Sequence, residues 1–236
     1  MFRTIPPSRK LVLAVLIAAC PCATQAVEDP TVAALTEQIN AAPDSPFLYH
    51  RRGVAHFFNA NSKASVADFD KYLASAPSRA PYHWQRGISL YYADRFADAT
   101  KQFQDHDAVN PRDVENATWL FLCQTRAESL EAARKALIPY RGDSRVPMRE
   151  IHQLFAGTCS EKDVITAAKA GSPTPETLKN QLCYAYLYLA LYQEALGNHQ
   201  AAMTHIKKAA VDHKMDHYMG MVAQVHYRLR QTAAKK

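Results

Sequence analysis

A chain of 236 residues, 48% hydrophobic and 21% charged, holds enough apolar side chains for one ordinary domain or one repeat array with a leader. Seven glycines against 13 prolines are too few for the many tight turns of an all-β sandwich or barrel. The net charge of +6 includes three basic residues and no acid within residues 1–26, and the remaining +3 is no electrostatic footprint for nucleic acid.

Residues 1–26 read as an export signal. Arg3, Arg9 and Lys10 precede a nine-residue apolar run, Leu11 to Ala19, too short to span a bilayer, which needs about 20 residues. Thr24-Gln25-Ala26 offers the small residues a signal peptidase requires and places the cut before Val27. Ile17-Ala18-Ala19-Cys20 offers a second ending, a bacterial lipobox in which the Cys20 thiol is acylated. Either ending predicts an exported chain, periplasmic or extracellular, touching a membrane only through its leader or a lipid at Cys20. Beyond the leader, Cys123, Cys159 and Cys183 are odd in number and lack CxxC spacing, so neither a disulfide framework nor a zinc site is expected. Cys123 and Cys183 sit in apolar helical runs and read as buried thiols; Cys159 follows Gly157-Thr158 on a loop.

Every later segment reads as helix. Asp29-Pro30 is a cap and first-turn signal for a helix over 31–41, within an N-terminal unit of residues 27–45. Arg52-Gly53 then recurs as Arg86-Gly87, Phe69 as Phe103, and Pro77 as Pro111, each 34 residues later. Gly costs about 1 kcal/mol against Ala in mid-helix, so Gly53 and Gly87 predict close approach of a paired helix. Phe69 and Phe103 supply the bulky partner, and Pro77 and Pro111 lie where each second helix must stop. Two repeats thus occupy 46–111. Degenerate helical pairs are expected over 112–174, with helices at 113–127, 128–137, 147–156 and 161–170. A long helix at 175–196 and another at 200–211 follow, and 216–231 closes the chain as a polar-faced cap.

A 34-residue period of these residue types resembles the tetratricopeptide repeat. The resemblance implies an all-α solenoid of helix–turn–helix units, about 11–12 helices, whose first helices line a concave face. On the family pattern that face receives His50, Val54, Phe57 and Phe58 from one repeat and Trp84, Ile88, Tyr91 and Tyr92 from the next. Tyr184, Leu187, Leu191 and Glu194 come from the late repeat. The Lys and Asn side chains with which some members clamp a terminal carboxylate are absent there. An aromatic groove with few charges suits an apolar segment of a partner. The same rings could instead pack between adjacent repeats.

Chemistry is sparse. Asp212-His213 and Asp216-His217 repeat at i, i+4, a spacing that can bind Zn²⁺, but the expected interhelix turn at Asp216 spoils the common face, and the Glu of an H-E-x-x-H motif is missing. No P-loop, G-x-S-x-G or dinucleotide fingerprint occurs, so no enzyme and no cofactor is expected. The expectation is a protein-interaction scaffold or adaptor of the bacterial envelope, binding a protein or peptide partner. A lipid-anchored adaptor for envelope proteases or cell-wall hydrolases is the alternative in that class. A metal-dependent enzyme at His213 and His217 is the alternative outside it.

Overall fold

The computed structural model describes Met1 and residues 29–233, and every regular element among them is helical. Residues 2–28, which include Cys20 and the junction at Val27, lie outside the described residues. Twelve α-helices follow in order: α1 (Pro30–Ala41), α2 (Pro46–Phe58), α3 (Ser62–Ser75), α4 (Trp84–Tyr92), α5 (Phe96–Val109), α6 (Val114–Ala127), α7 (Leu130–Lys135), α8 (Met148–Phe155), α9 (Glu161–Lys169), α10 (Pro175–Ala195), α11 (His199–Lys207) and α12 (Tyr218–Ala233). A short 3-10 helix, Pro77–Tyr82, joins α3 to α4, and α11 widens into a π-helical turn over Lys208–Asp212. Among the described residues no helix is long and apolar enough to cross a membrane.

Local chemistry sets the helix ends. The Asp29 carboxylate accepts the Thr31 N–H at 2.9 Å, with Pro30 in the first turn of α1. Ser160 and Asp163 form a capping box at α9, and Gly197 adopts φ +80° just past α10, where a side chain would be strained. Helices pack on their sequence neighbours: α1 on α2, α2 on α3, α4 on α5, α5 on α6, α10 on α11.

The 34-residue period is carried in side-chain contacts. Arg52 bonds Asp68, sixteen residues ahead, and Thr36, sixteen behind. Arg86 bonds Gln102 and Asp70 at the same two offsets. Gly53 and Gly87 obey the expected rule as well: a Cβ on Gly53 would stand 2.7 Å from Phe69 Cε1, and one on Gly87 2.7 Å from Phe103 Cζ. Close approach of the paired helix therefore accounts for both glycines.

Two segments depart from the sequence reading. The helix expected over 128–137 shrinks to α7, and residues 137–144 run without regular structure. Pro139 and Gly142 interrupt that run, and its polar side chains bond other elements instead: Arg141 pairs with Asp107 at 3.0 Å, and Asp143 accepts the Val114 N–H at the start of α6. The closing helix also differs. It begins at Tyr218, with Asp216 and His217 left in the turn before it, and it lies against α2 and α10 rather than simply ending the stack. Met219, Val222, Ala223, Val225 and His226 are buried along its inner face. Burial of that apolar face draws α12 back across the first helices.

Candidate functional site

The residues expected along a concave groove are placed as follows. Phe57, Ile88, Tyr91 and Leu187 are buried in the core, as is Leu191. Phe57 stacks on Tyr218 of α12 at 5.9 Å, and Phe58 and Trp84 pack against the same ring. Tyr91 meets Trp119 edge-on at 5.4 Å, between α4 and α6. Tyr92 bonds His226 of α12, and Glu194 holds Arg230 through both carboxylate oxygens. His50 lies apart, in a seam with Phe69, Tyr72 and His83, while Val54 is half-buried. The first-helix face is thus largely covered by the chain's own α12. The physical reason is that α12 offers Tyr218 and His226 as aromatic partners in the space a foreign segment would need.

A cavity of about 310 Å³ remains where α12 begins. Trp84 and Ile88 of α4, Phe103 and His106 of α5, Asn116 and Trp119 of α6, Tyr184 of α10, and Tyr218 of α12 meet there with Asp113, Glu115 and Arg145. Only Trp84, Ile88 and Tyr184 of these belong to the groove set read from the sequence.

Its polar edge is built on the N-terminus of α6. Asp113 caps that helix by accepting the Glu115 N–H at 3.1 Å. Arg145, from the irregular segment before α8, donates to Asp113 at 2.6 Å, Glu115 at 2.5 Å and Asp143 at 2.6 Å. The second Glu115 oxygen accepts the Tyr188 hydroxyl at 2.7 Å. Burial pushes the Glu115 carboxyl up to about 7, against the pull of Arg145. Burial would likewise raise Asp143, but hydrogen bonds from Arg145 and Val114 outweigh it and hold that carboxyl below its usual range. Tyr188 is raised well above an ordinary phenol by burial and by Glu115, so it remains a neutral donor.

Four buried atoms in the cavity wall find no hydrogen-bond partner: both amide atoms of Asn116, the Trp119 indole N–H and the Tyr218 hydroxyl. Asn116 and Trp119 are only 2% and 1% exposed. Burying such a group unpaired costs about 1–3 kcal/mol, and native interiors pair nearly all of them. All three side chains line the one cavity.

The C-terminal imidazoles do not converge. His213 stacks on Tyr186 at 5.4 Å and 4° between planes, while His217 is exposed in the next turn. Among the described residues no three His, Cys, Asp or Glu side chains group as a metal site requires. Cys123 and Cys183 are buried free thiols, and Cys159 is half-buried on its loop.

The sequence held a signal for the missed half of this site. Asp113 and Glu115 mark an acidic helix start, and Arg141 to Arg145 form a short charged run about thirty residues later. Nothing in helical periodicity says that the two meet. No family model matches the chain.

Proposed function

We propose that the chain is a binding protein, a tetratricopeptide-like scaffold or adaptor of the bacterial envelope, which engages a partner polypeptide at the cavity beside the α6 N-terminus. The observation that carries this reading is the set of unpartnered buried atoms on Asn116, Trp119 and Tyr218 in one aromatic wall. Both Glu115 oxygens are occupied by Arg145 and Tyr188, which favours holding a ligand over attacking one. The export signal and the 34-residue repeat supply the cellular setting and the family resemblance.

Trp84→Ala tests the reading. Trp84 is a half-buried residue of the cavity lining, so its loss should leave the melting temperature within a few degrees of the parent. Partner captured from envelope extract by the wild-type chain should drop by at least about thirtyfold in affinity, the effect of losing one aromatic anchor worth about 2 kcal/mol. Undiminished capture by a folded Trp84→Ala chain excludes the cavity as the binding site.

A further inference from the structure

We propose that the cavity takes one cationic residue of a partner polypeptide, with its guanidinium or ammonium against the aromatic wall beside Asp113 and Glu115 and its backbone carbonyl on Asn116 and Trp119. The inference rests on the binding reading above and adds the chemistry of the ligand.

Charge is the first argument. Two carboxylates, Asp113 and Glu115, line the cavity against one guanidinium, Arg145, which also bonds Asp143 behind them, and the partial positive charge of the α6 N-terminus offsets the remaining carboxylate only in part. A second cation would relieve it. Shape and surface are the second argument. Trp84, Trp119, Tyr184 and Tyr218 supply aromatic faces and edges, and cations are attracted to such faces most strongly where water is excluded. At about 310 Å³ the cavity lies at the small end for ligand sites, room for one large side chain and not for a folded segment. Hydrogen bonding is the third. The Trp119 N–H and the Asn116 amide nitrogen require an acceptor, which a bare cation lacks and a peptide carbonyl provides. The Asn116 oxygen requires a donor, which the peptide N–H or the cation provides.

The chain carries only two tryptophans, Trp84 and Trp119, and both line the cavity, so intrinsic fluorescence reads its occupancy directly. Four probes suffice: N-acetyl-arginine amide, its neutral isostere N-acetyl-citrulline amide, the anionic N-acetyl-glutamate amide, and n-butylguanidinium, which has no carbonyl. The arginine amide should bind at least about tenfold more tightly than the citrulline amide, and the glutamate amide should not bind. Butylguanidinium should bind more weakly than the arginine amide; equal binding would assign the site to free organic cations and overturn the peptide half of the proposal. Citrulline binding as well as arginine overturns the cation half while leaving the binding reading intact. Silence of the fluorescence to all four removes the binding reading itself.

Proton linkage supplies a second measurement. Arginine-amide affinity should fall about tenfold from pH 8 to pH 6, as Glu115 takes up its proton. His106 and His217 also line this cavity, and Arg145, Tyr184 and Tyr188 keep their charge over that range. Glu115→Gln should therefore flatten the profile. If that variant fails to fold, Tyr188→Phe removes a donor to the carboxylate and should move the midpoint upward. A midpoint unmoved in Tyr188→Phe, or a profile unflattened in folded Glu115→Gln, overturns the role of Glu115.

Discussion

Tyr92 and His226 are 134 residues apart in sequence, yet the Tyr92 hydroxyl lies 2.8 Å from His226 Nδ1. The imidazole is fully buried, and burial lowers its proton affinity even though Glu194 lies close by. A neutral ring with its proton on Nε2 leaves Nδ1 free to accept from Tyr92. Nε2–H then faces Glu194 Oε2 at 3.1 Å, and Arg230 takes the remaining charge with a bidentate grip at 2.6 and 2.5 Å. This line of side chains ties α12 to α4 and α10, and Arg228 adds a bond to the Phe58 carbonyl.

Acid should therefore loosen α12. His226 has a lowered folded pKa, so the unfolded chain binds the proton more readily and stability falls as pH drops below about 6.5. At Glu194, burial opposes ionisation, but His226 and Arg230 prevail and hold the carboxyl well below its usual range. Its contribution is complete above about 4.5 and is lost as pH falls further. Hydrogen exchange at pH 7 and pH 4.5 should show residues 218–233 losing protection before α6 does. Tyr92→Phe, which orphans Nδ1, should cost about 1–3 kcal/mol in urea titration at pH 7. Equal protection of α12 and α6 at both pH values would count against the line of bonds as the helix's anchor.

The glycines can be ranked. A Cβ on Gly53 or Gly87 meets the far end of a phenylalanine ring, whereas one on Gly220 would lie 2.0 Å from the Met215 carbonyl oxygen. Rings can shift and a backbone carbonyl cannot do so cheaply. Gly53→Leu and Gly87→Leu should each lose about 1–3 kcal/mol or more. Among alanine variants, Gly220→Ala should be the most destabilised by urea titration. A Gly220→Ala chain as stable as Gly53→Ala would mean that the turn into α12 moves freely.

The repeat half of the fold was legible in sequence because its signals are local or periodic. The Arg-Gly pair, the partner phenylalanine and the stopping proline each act within a 34-residue unit, and Arg52 and Arg86 make matching bonds. The site was not legible, for two reasons. Asp143 and Arg145 lie on an irregular segment whose placement depends on α6, about thirty residues earlier, and no spacing rule reaches that far. The aromatic residues named for an open groove lie on α2, α4 and α10 but pack largely against the chain itself, and a ring meant for a partner and a ring meant for α12 look alike in sequence. Tyr218 and His226 decide the matter, and they resemble any residues of a closing helix.

Glu115 has a pH signature opposite to that of Glu194. Its folded pKa is raised to about 7, so its protonated form favours the folded state, and that contribution is present below about 4.5 and disappears as pH rises through 7. Glu115→Gln can still accept from Arg145 and face Tyr188, with no charge to desolvate. The variant should match the parent near pH 5 and exceed it near pH 8, by on the order of 2 kcal/mol. Urea titrations at the two pH values measure the difference. A variant less stable than the parent at pH 8 would show that the Arg145 ion pair outweighs burial.

Arg145 should tolerate no substitute, lysine included. Its fork reaches Asp113 and Glu115 on α6 and Asp143 on its own segment at once, at distances from 2.5 to 2.6 Å. A lysine ammonium is a single point charge and cannot span three carboxylates in a plane. The Arg145 side chain is 44% exposed, so solvent screens part of the interaction, but Glu115 and Asp143 are only 12% and 6% exposed and would be left with one another. Arg145→Lys should therefore lose about 1–2 kcal/mol, and Arg145→Met about 2–4 kcal/mol, because it strands three carboxylates. The Met variant should also loosen the segment 137–147, leaving it to the Arg141–Asp107 pair and the bonds of Val114 to Asp143 and His152 to Ile138, and make it more open to limited proteolysis. Raising salt should narrow the gap between wild type and Arg145→Lys only slightly, since the buried pairs are poorly screened. A gap that closes fully in 1 M salt, with residues 137–147 still resistant to protease in Arg145→Met, would make Arg145 a surface pair and leave the cavity edge without its organising cation.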